Sequence, residues 1–144
     1  MTDSLSAAMS ALPHGPEFRF IDRLTHLEPG VRGSGQYGVR GDEPFLRGHF
    51  PGLPLFPGVL LIEAAAQLAG IVAQSDPTRA PLSGLKLTAV RAAKILGSAS
   101  PGQTIELDAE VSARLDNLVH ARVNARVNGV VILQTDLVLS GEKT

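Results

Sequence analysis

The amino-acid sequence predicts an α+β fold in which a curved antiparallel sheet wraps around one long buried helix. Residues 57–74 are apolar almost all round, which is typical of a helix without a solvated face. The C-terminal half instead alternates apolar and polar residues, which is typical of antiparallel strands with one solvated face. Wrapping the sheet around the helix buries both apolar surfaces. Because the chain has 144 residues, we expect one domain spanning 1–144.

The elements before the long helix are marked by proline and glycine. Residues 3–11 predict a short helix that ends at the LPHGP stretch, residues 12–16. Residues 18–27 have strand character, and the glycine-rich residues 31–39 predict a bent or bulged strand. Residues 41–58 contain four prolines and four glycines, which exclude a helix or a central strand there. We expect a packed loop, because it carries four large apolar residues: Phe45, Phe50, Leu53 and Phe56.

The long helix is predicted to begin at Pro57 and to end near Gln74. Proline suits a first helical turn, where its missing N–H is not needed. Glu63 and Gln67 are polar exceptions in the apolar body of this helix, and their spacing of four residues puts them on one face. After the helix, period-two alternation predicts further strands. They cover residues 85–90, 105–113, 119–127 and 130–139, with a turn at Pro101-Gly102 and a tight hairpin turn at Asn128-Gly129.

Composition and charge exclude several classes of protein. The 13 basic and 14 acidic residues leave a formal net charge of −1, which argues against a nucleic-acid binder. The absence of cysteine excludes disulfides, thiolate metal sites and a cysteine nucleophile. The N-terminal residues lack the basic start and apolar run of a secretory signal, and the most apolar stretch is too short and too polar for a membrane span. We therefore expect a cytoplasmic protein that binds neither nucleic acid nor a membrane.

The junction between loop and helix collects three groups that could act on one substrate. Glu63 lies in the second turn of an apolar helix, where a carboxyl that keeps its proton can serve as a general acid. His49 lies in the loop before the helix, and histidine can act as a base at neutral pH. The N–H groups of Gly58 and Val59 lie at the positive end of the helix, where they could stabilise an enolate oxyanion. Such a set suits removal of a proton α to a thioester carbonyl with loss of a β-hydroxyl.

Each of these residues also has a purely structural explanation. A lone loop histidine such as His49 is more often a hydrogen-bonded structural group than a base. Glu63 could pair with Gln67, with an arginine or with a backbone amide. We expect no bound metal, since no third ligand clusters near the histidine and the glutamate.

The other histidines and the arginines of the predicted sheet are expected to be structural or solvated. His14 follows a proline at an element boundary, which favours a structural role. His26 and His120 lie on the polar faces of predicted strands. Arg122 and Arg126 alternate with apolar residues, which favours a solvated sheet face over an anion site.

Two segments resemble a known family. Residues 43–67, EPFLRGHFPGLPLFPGVLLIEAAAQ, resemble the signature of the hotdog-fold 3-hydroxyacyl-[acyl-carrier-protein] dehydratases, and residues 12–23, LPHGPEFRFIDR, resemble the opening segment of that family. A histidine in GHFPG, a PGV turn and a glutamate fourteen residues after the histidine make a specific combination. By element order the likeness covers about residues 12–140.

The resemblance implies a hotdog fold and homodimers whose sheets join edge to edge, while a trimer of dimers stays open. In this family the histidine and the acid of one site come from opposite subunits. By that analogy His49 would take the C2 proton, Glu63 of the other chain would protonate the departing hydroxyl, and the Gly58 N–H would hold the thioester carbonyl. Gln67 would help position Glu63, and the Leu55 carbonyl would orient the His49 ring. The substrate-binding set would be completed by Phe50, Pro57 and Val59.

Residues 91–102, RAAKILGSASPG, depart from the family pattern. The family has a phenylalanine, a lysine–arginine pair and a proline–valine–valine–proline–glycine run there. In this chain Arg91 and Lys94 remain basic, and they are the candidates for docking an acidic carrier protein. Glu63 stands where the related isomerising dehydratases carry aspartate, which favours dehydration without isomerisation.

The resemblance thus predicts a hydro-lyase of fatty-acid or related acyl-chain biosynthesis. It would convert (3R)-hydroxyacyl thioesters of acyl carrier protein, or of coenzyme A, to trans-2-enoyl thioesters and water, without a cofactor. Two alternatives stay open. One is an acyl thioesterase on the same fold, in which the helix carboxylate activates water. The other is a non-catalytic acyl-binding subunit that completes a partner's site, which the departure at 91–102 keeps open.

Overall fold

The computed structural model describes residues 2–46, 52 and 54–143. In this part of the chain the helices are α1 (Thr2–Met9) and α2 (Gly58–Gln74), with short 3-10 turns at Pro16–Phe18 and Pro44–Leu46. The strands are β1 (Arg23–Glu28), β2 (Arg32–Gly38), β3 (Leu82–Ile95), β4 (Thr104–Leu115), β5 (Leu118–Val127) and β6 (Val130–Lys143).

The six strands form one antiparallel sheet in the order β1-β2-β4-β5-β6-β3. Its inner face packs on α2, and the alternate residues of β4 and β5 that face the helix are buried. The period-two pattern in the sequence follows from this arrangement, because one face of each strand is apolar and the other is solvated. The predicted α+β hotdog architecture, a curved sheet around one long helix, is confirmed.

Helix α2 is buried along most of its length, as its apolar sequence predicts. Gly58 is its first residue and Pro57 is its N-cap, so the helix begins one residue later than predicted and ends at Gln74 as predicted. Several buried alanines let the sheet approach the helix closely: Ala64, Ala65, Ala66, Ala69 and Ala73. This helix positions Glu63 and Gln67 on a shared face.

The glycine-rich strand β2 is regular, which corrects the prediction of a bend or bulge within it. It pairs with β4 without a shift of register, whereas the irregularity lies in β1 between Leu24 and His26. The glycines of β2 have a different purpose. A Cβ on Gly33 would lie 2.8 Å from the Val72 side chain, so glycine is required where α2 crosses the strand.

Two segments differ from the sequence prediction in their bounds. Residues 18–27 are predicted to form a strand, but β1 begins only at Arg23, and Phe18 instead ends the 3-10 turn Pro16–Phe18. Strand β3 extends well beyond the predicted 85–90. It lies at the edge of the sheet and is largely exposed, so its residues do not alternate between a core and a solvated face.

Candidate active site

The Glu63 carboxylate projects from the second turn of α2 and is held through one of its oxygens. Gln67 Nε2 donates a hydrogen bond of 3.1 Å to Glu63 Oε2. His14 Nε2 lies 3.2 Å from the same oxygen, within ion-pair distance. The Glu63 side chain is 24% exposed, so it is neither fully buried nor freely solvated. Of the structural partners expected from the sequence, Gln67 is confirmed as one, and His14 is an addition.

Gln67 fixes this end of the site because every polar atom of its side chain is engaged. It is 2% exposed, and its Oε1 accepts a hydrogen bond of 2.9 Å from the Phe20 N–H. Its Nε2 donates both to the Phe18 carbonyl, at 2.9 Å, and to Glu63. The amide therefore cannot turn around without breaking buried hydrogen bonds, and it presents a donor to Glu63.

His14 belongs to a strap, residues 12–20, that crosses the same face of α2. Leu12 and Phe20 are buried at its two ends. The Arg19 Nε donates a 2.7 Å hydrogen bond to the His14 carbonyl, and the Phe18 ring stacks on the imidazole with centroids 6.0 Å apart. The structural role predicted for His14 is incomplete, since its ring also contacts the candidate acid.

A cavity of about 520 Å³ opens beside this carboxylate, between the strap, α2 and strand β3. Among the residues that line it, the titratable side chains are His14, Glu63 and Lys86. Most of the remaining lining is apolar: Ala11, Leu12, Pro13, Ala66, Gly70, Ile71, Leu82, Gly84, Leu85, Leu87 and Leu139. An apolar cleft with a few convergent polar groups suits an acyl chain with a reactive polar end.

The start of α2 lies outside this cavity. Pro57 is buried, Gly58 is half-buried and Val59 is 71% exposed. A Cβ on Gly58 would lie 2.8 Å from Ile95 Cδ1, so β3 approaches the helix end too closely for any other residue. As the first residues of a helix, Gly58 and Val59 have no intrahelical acceptor for their N–H groups. An oxyanion site at this end therefore stays a prediction with suitable local geometry.

Several predicted site residues cannot be placed relative to Glu63. His49 and Phe50 lie outside the described residues, so the predicted base and its contact with the Leu55 carbonyl are untested. Leu55 itself is half-buried, directly before the buried Phe56. Arg91 and Lys94 are exposed on β3, and Lys94 borders a shallow depression with Arg122 and Asp136. Neither basic residue lines the cavity beside Glu63.

A second buried carboxylate, which the sequence did not indicate, lies at the start of the loop. Glu43 accepts hydrogen bonds from the Tyr37 hydroxyl at 2.7 Å, the Arg40 N–H at 3.0 Å and the Gly41 N–H at 2.7 Å. Burial alone would raise the pKa of the Glu43 carboxyl, but these donors outweigh it and hold the pKa below its ordinary value. Burial and the neighbouring carboxylate raise the pKa of the Tyr37 hydroxyl. The sequence offered one indication of this pair, namely that a tyrosine in the core needs a hydrogen-bond partner for its hydroxyl.

The solvated positions expected for His26, Arg122 and Arg126 on the outer face of the sheet are confirmed, whereas His120 is more buried than expected. Arg122 lies 3.2 Å from Asp136, and Arg126 lies 2.6 Å from Asp108, all on the solvated face. His26 is exposed and His120 is half-buried.

Over the described part of the chain, no three histidine or acidic side chains converge as a metal site would require. None of the helices in that same part is both long enough and apolar enough to span a membrane.

Comparison with known proteins places this arrangement in a family. The model of the FabA-like domain matches residues 12–136. The chain belongs to the FabA-like family. It is 36% identical over 136 residues to the 3-hydroxyacyl-[acyl-carrier-protein] dehydratase FabZ of Geotalea uraniireducens, with 92% of each chain covered. It is 32% identical over 137 residues to the FabZ of Chloroflexus aggregans, with 95% of this chain and 94% of the relative covered. The resemblance based on residues 12–23 and 43–67 is confirmed.

Solved structures share the fold at low sequence identity. One is the dehydratase heterocomplex ApeI:P from Xenorhabdus doucetiae, with a TM-score of 0.79 and 17% identity, covering 95% of this chain and 91% of that chain. Another is zebra fish thioesterase superfamily member 2, with a TM-score of 0.69 and 16% identity, covering 92% of this chain and 90% of that chain. At such identities these two structures support the fold and leave the chemistry to the site residues.

Proposed function

We propose that this FabA-like protein dehydrates (3R)-hydroxyacyl thioesters to trans-2-enoyl thioesters. The observation that carries the proposal is the Glu63 carboxyl at the polar end of an apolar cavity, held by Gln67 on α2. Relatives that match this chain over nine-tenths of its length are named 3-hydroxyacyl-[acyl-carrier-protein] dehydratases. We infer an acyl-carrier-protein thioester as the substrate, with coenzyme A thioesters as an alternative carrier.

In the proposed reaction His49 removes a proton from C2 of the substrate. The electron pair of that C–H bond forms the C2–C3 double bond, and the C3–O bond breaks as Glu63 gives its proton to the hydroxyl, which leaves as water. The Gly58 N–H stabilises the negative charge that develops on the thioester oxygen. The proton then on His49 returns to Glu63 through water, which restores both groups. No cofactor enters this sequence.

The same proposal includes a homodimer that joins through strand β3. β3 is an edge strand, and the side chains of Val90, Ile95 and Leu96 are exposed on or beside it. The opposite edge, β1, is instead contacted by α1. An uncovered edge with apolar side chains favours pairing with another chain. Pairing with a second copy would bring residues near Gly58 of one chain toward the other, as the family arrangement of His49 and Glu63 requires.

The proposal places the docking of an acidic carrier protein on strand β3. Arg91 and Lys94 are exposed on the same edge strand and could attract an acidic carrier protein. The protein would act in the cytoplasm, as the sequence predicts. A carrier-protein thioester and the matching coenzyme A thioester, compared at equal acyl length, would show whether carrier contacts contribute to kcat/KM.

The test of the proposed reaction is the variant Glu63→Gln, assayed for hydration of enoyl thioesters and dehydration of 3-hydroxyacyl thioesters. We expect kcat to fall by about 10²–10⁴-fold, because glutamine cannot donate the acid proton. Glu106→Gln makes the same chemical change on the exposed face of β4 and should keep full activity. Full activity in Glu63→Gln would contradict the proposal.

The same assays separate the alternatives. A thioesterase would release free thiol from acyl thioesters at a rate that depends on Glu63, without any change in the 3-hydroxyl group. A non-catalytic subunit would be inactive alone and active only after mixing with a second dehydratase chain. The departure of residues 91–102 from the family pattern is the observation that favours this second alternative.

A further inference from the structure

We propose that His14 is a positioning residue for Glu63, which fixes one carboxylate oxygen so that the other exchanges the proton. This inference rests on the proposed function, because it assigns a device to the acid of that reaction. The two residues are 49 positions apart in sequence, yet His14 Nε2 lies 3.2 Å from Glu63 Oε2. Both side chains are partly exposed, at 29% and 24%, and both line the same cavity.

The environment of the imidazole determines which nitrogen carries its proton. His14 Nδ1 is buried and has no hydrogen-bond partner among the described residues. A proton on Nδ1 would leave a buried N–H without an acceptor, which is costly. Leaving an unprotonated Nδ1 without a donor costs less than leaving a buried N–H without an acceptor. The favoured neutral tautomer of His14 therefore carries its proton on Nε2. That proton then lies on the ring nitrogen that is 3.2 Å from Glu63 Oε2.

The surroundings keep the imidazole in this place. Arg19 Nε donates to the His14 carbonyl at 2.7 Å, which holds the backbone of the strap. The Phe18 ring stacks against one face of the imidazole. Phe18 also accepts the Gln67 hydrogen bond through its carbonyl, at 2.9 Å. His14 and Gln67 are thus held by one segment. Gln67 Nε2 donates a hydrogen bond to Glu63 Oε2, and His14 Nε2 lies 3.2 Å from the same oxygen.

The two carboxylate oxygens of Glu63 therefore differ in the groups that surround them. Oε2 accepts the Gln67 hydrogen bond and lies 3.2 Å from His14 Nε2, whereas no residue in the described part of the chain donates a hydrogen bond to Oε1. A carboxyl carries its proton on one oxygen, so the proton belongs on Oε1. When that proton passes to the substrate hydroxyl, the charge left on Oε2 is stabilised by the Gln67 hydrogen bond and, in this proposal, by the Nε2 proton of His14. These donors strengthen as the charge develops, and such interactions accelerate a reaction.

The test compares His14→Gln with His14→Met. The two replacements have similar length, but only glutamine can offer a donor to Glu63 Oε2. We expect His14→Met to lower kcat for dehydration by about 10- to 100-fold with KM within about twofold of wild type, and His14→Gln to recover most of that loss. His26→Met, on the exposed face of β1, is the control and should keep wild-type kcat.

Two kinetic results would overturn the proposal. One is a wild-type kcat in His14→Met. The other is an equal loss in both variants, which would mean that the ring matters for packing rather than for donation. Circular dichroism of each variant checks that the fold is retained, and if His14→Met does not fold, His14→Gln at wild-type kcat against an impaired His14→Ala serves as the comparison.

A measurement that does not require turnover separates this proposal from the proposed function. Long-range ¹H–¹⁵N correlation spectra of the wild-type protein at neutral pH report which His14 nitrogen is protonated, with the signals assigned by their loss in His14→Gln. A proton on Nε2 alone supports the proposal, and a proton on Nδ1 overturns it. An inactive wild-type protein with the proton on Nε2 would contradict the dehydratase function and leave the contact with Glu63 standing.

Discussion

Glu43 and Glu63 lie on either side of the same loop, and the structure holds their carboxylates in opposite ways. Glu43 is almost fully buried, and both of its oxygens accept hydrogen bonds, from Tyr37, Arg40 and Gly41. Glu63 is partly exposed, and the described residues engage only its Oε2. A carboxylate that is satisfied on both oxygens cannot take up a proton without losing donors, so Glu43 is structural. A carboxylate at a cavity with one oxygen that accepts no hydrogen bond from the described residues can exchange a proton through that oxygen. This difference favours Glu63 as the acid.

The largest effect on stability is expected from Glu43→Ala. The substitution leaves the Arg40 and Gly41 N–H groups without their acceptor, and it removes one partner of the Tyr37 hydroxyl. We expect the free energy of unfolding in urea to fall by about 2–4 kcal/mol. Asp42→Ala is the matched control, because the neighbouring Asp42 side chain is 85% exposed, and it should change stability by less than about 0.5 kcal/mol. Equal effects in the two variants would contradict the structural role of Glu43.

A second expectation concerns the acid limb of the stability curve. The pKa of Glu43 is lower in the folded chain than in the unfolded chain, because the donors outweigh the effect of burial. Its contribution to stability is therefore complete above the unfolded pKa and is lost as the pH falls through the folded pKa. Glu43→Gln cannot titrate, so the difference in unfolding free energy between wild type and this variant should shrink as the pH is lowered below 4.5. A constant difference across that range would exclude this linkage.

The contrast between the two carboxylates also shows what sequence reasoning can reach. Helix α2 and strands β4 to β6 were predictable, because burial on one side leaves a periodic pattern of apolar residues. The full length of β3 was not, because every residue from Thr88 to Ile95 is exposed and the apolar pattern there is correspondingly weak. An element buried on one side needs apolar residues at regular spacing, whereas an exposed edge strand has no such requirement.

Contacts between polar residues far apart in the chain could not be predicted from the sequence, for a different reason. The Tyr37–Glu43 hydrogen bond and the His14–Glu63 contact depend on how the loop and the strap cross the core, and no local period encodes such crossings. The Gln67 contact with Glu63 was predictable, because residues four apart on a helix are neighbours. The partnership of His49 with Glu63 stays a prediction from the family resemblance.

The smallest expected effect is that of Glu63→Gln on stability. Glutamine keeps an oxygen that can accept from Gln67, and the Glu63 side chain is partly solvated, so few interactions are lost. We expect its unfolding free energy to stay within about 0.5 kcal/mol of wild type, or to rise slightly. Urea denaturation of Glu63→Gln alongside Glu43→Gln measures the difference directly. If Glu63→Gln proved the more destabilising of the two, the carboxylate on α2 would be the structural one, and its assignment as a general acid would lose the argument from its unsatisfied oxygen.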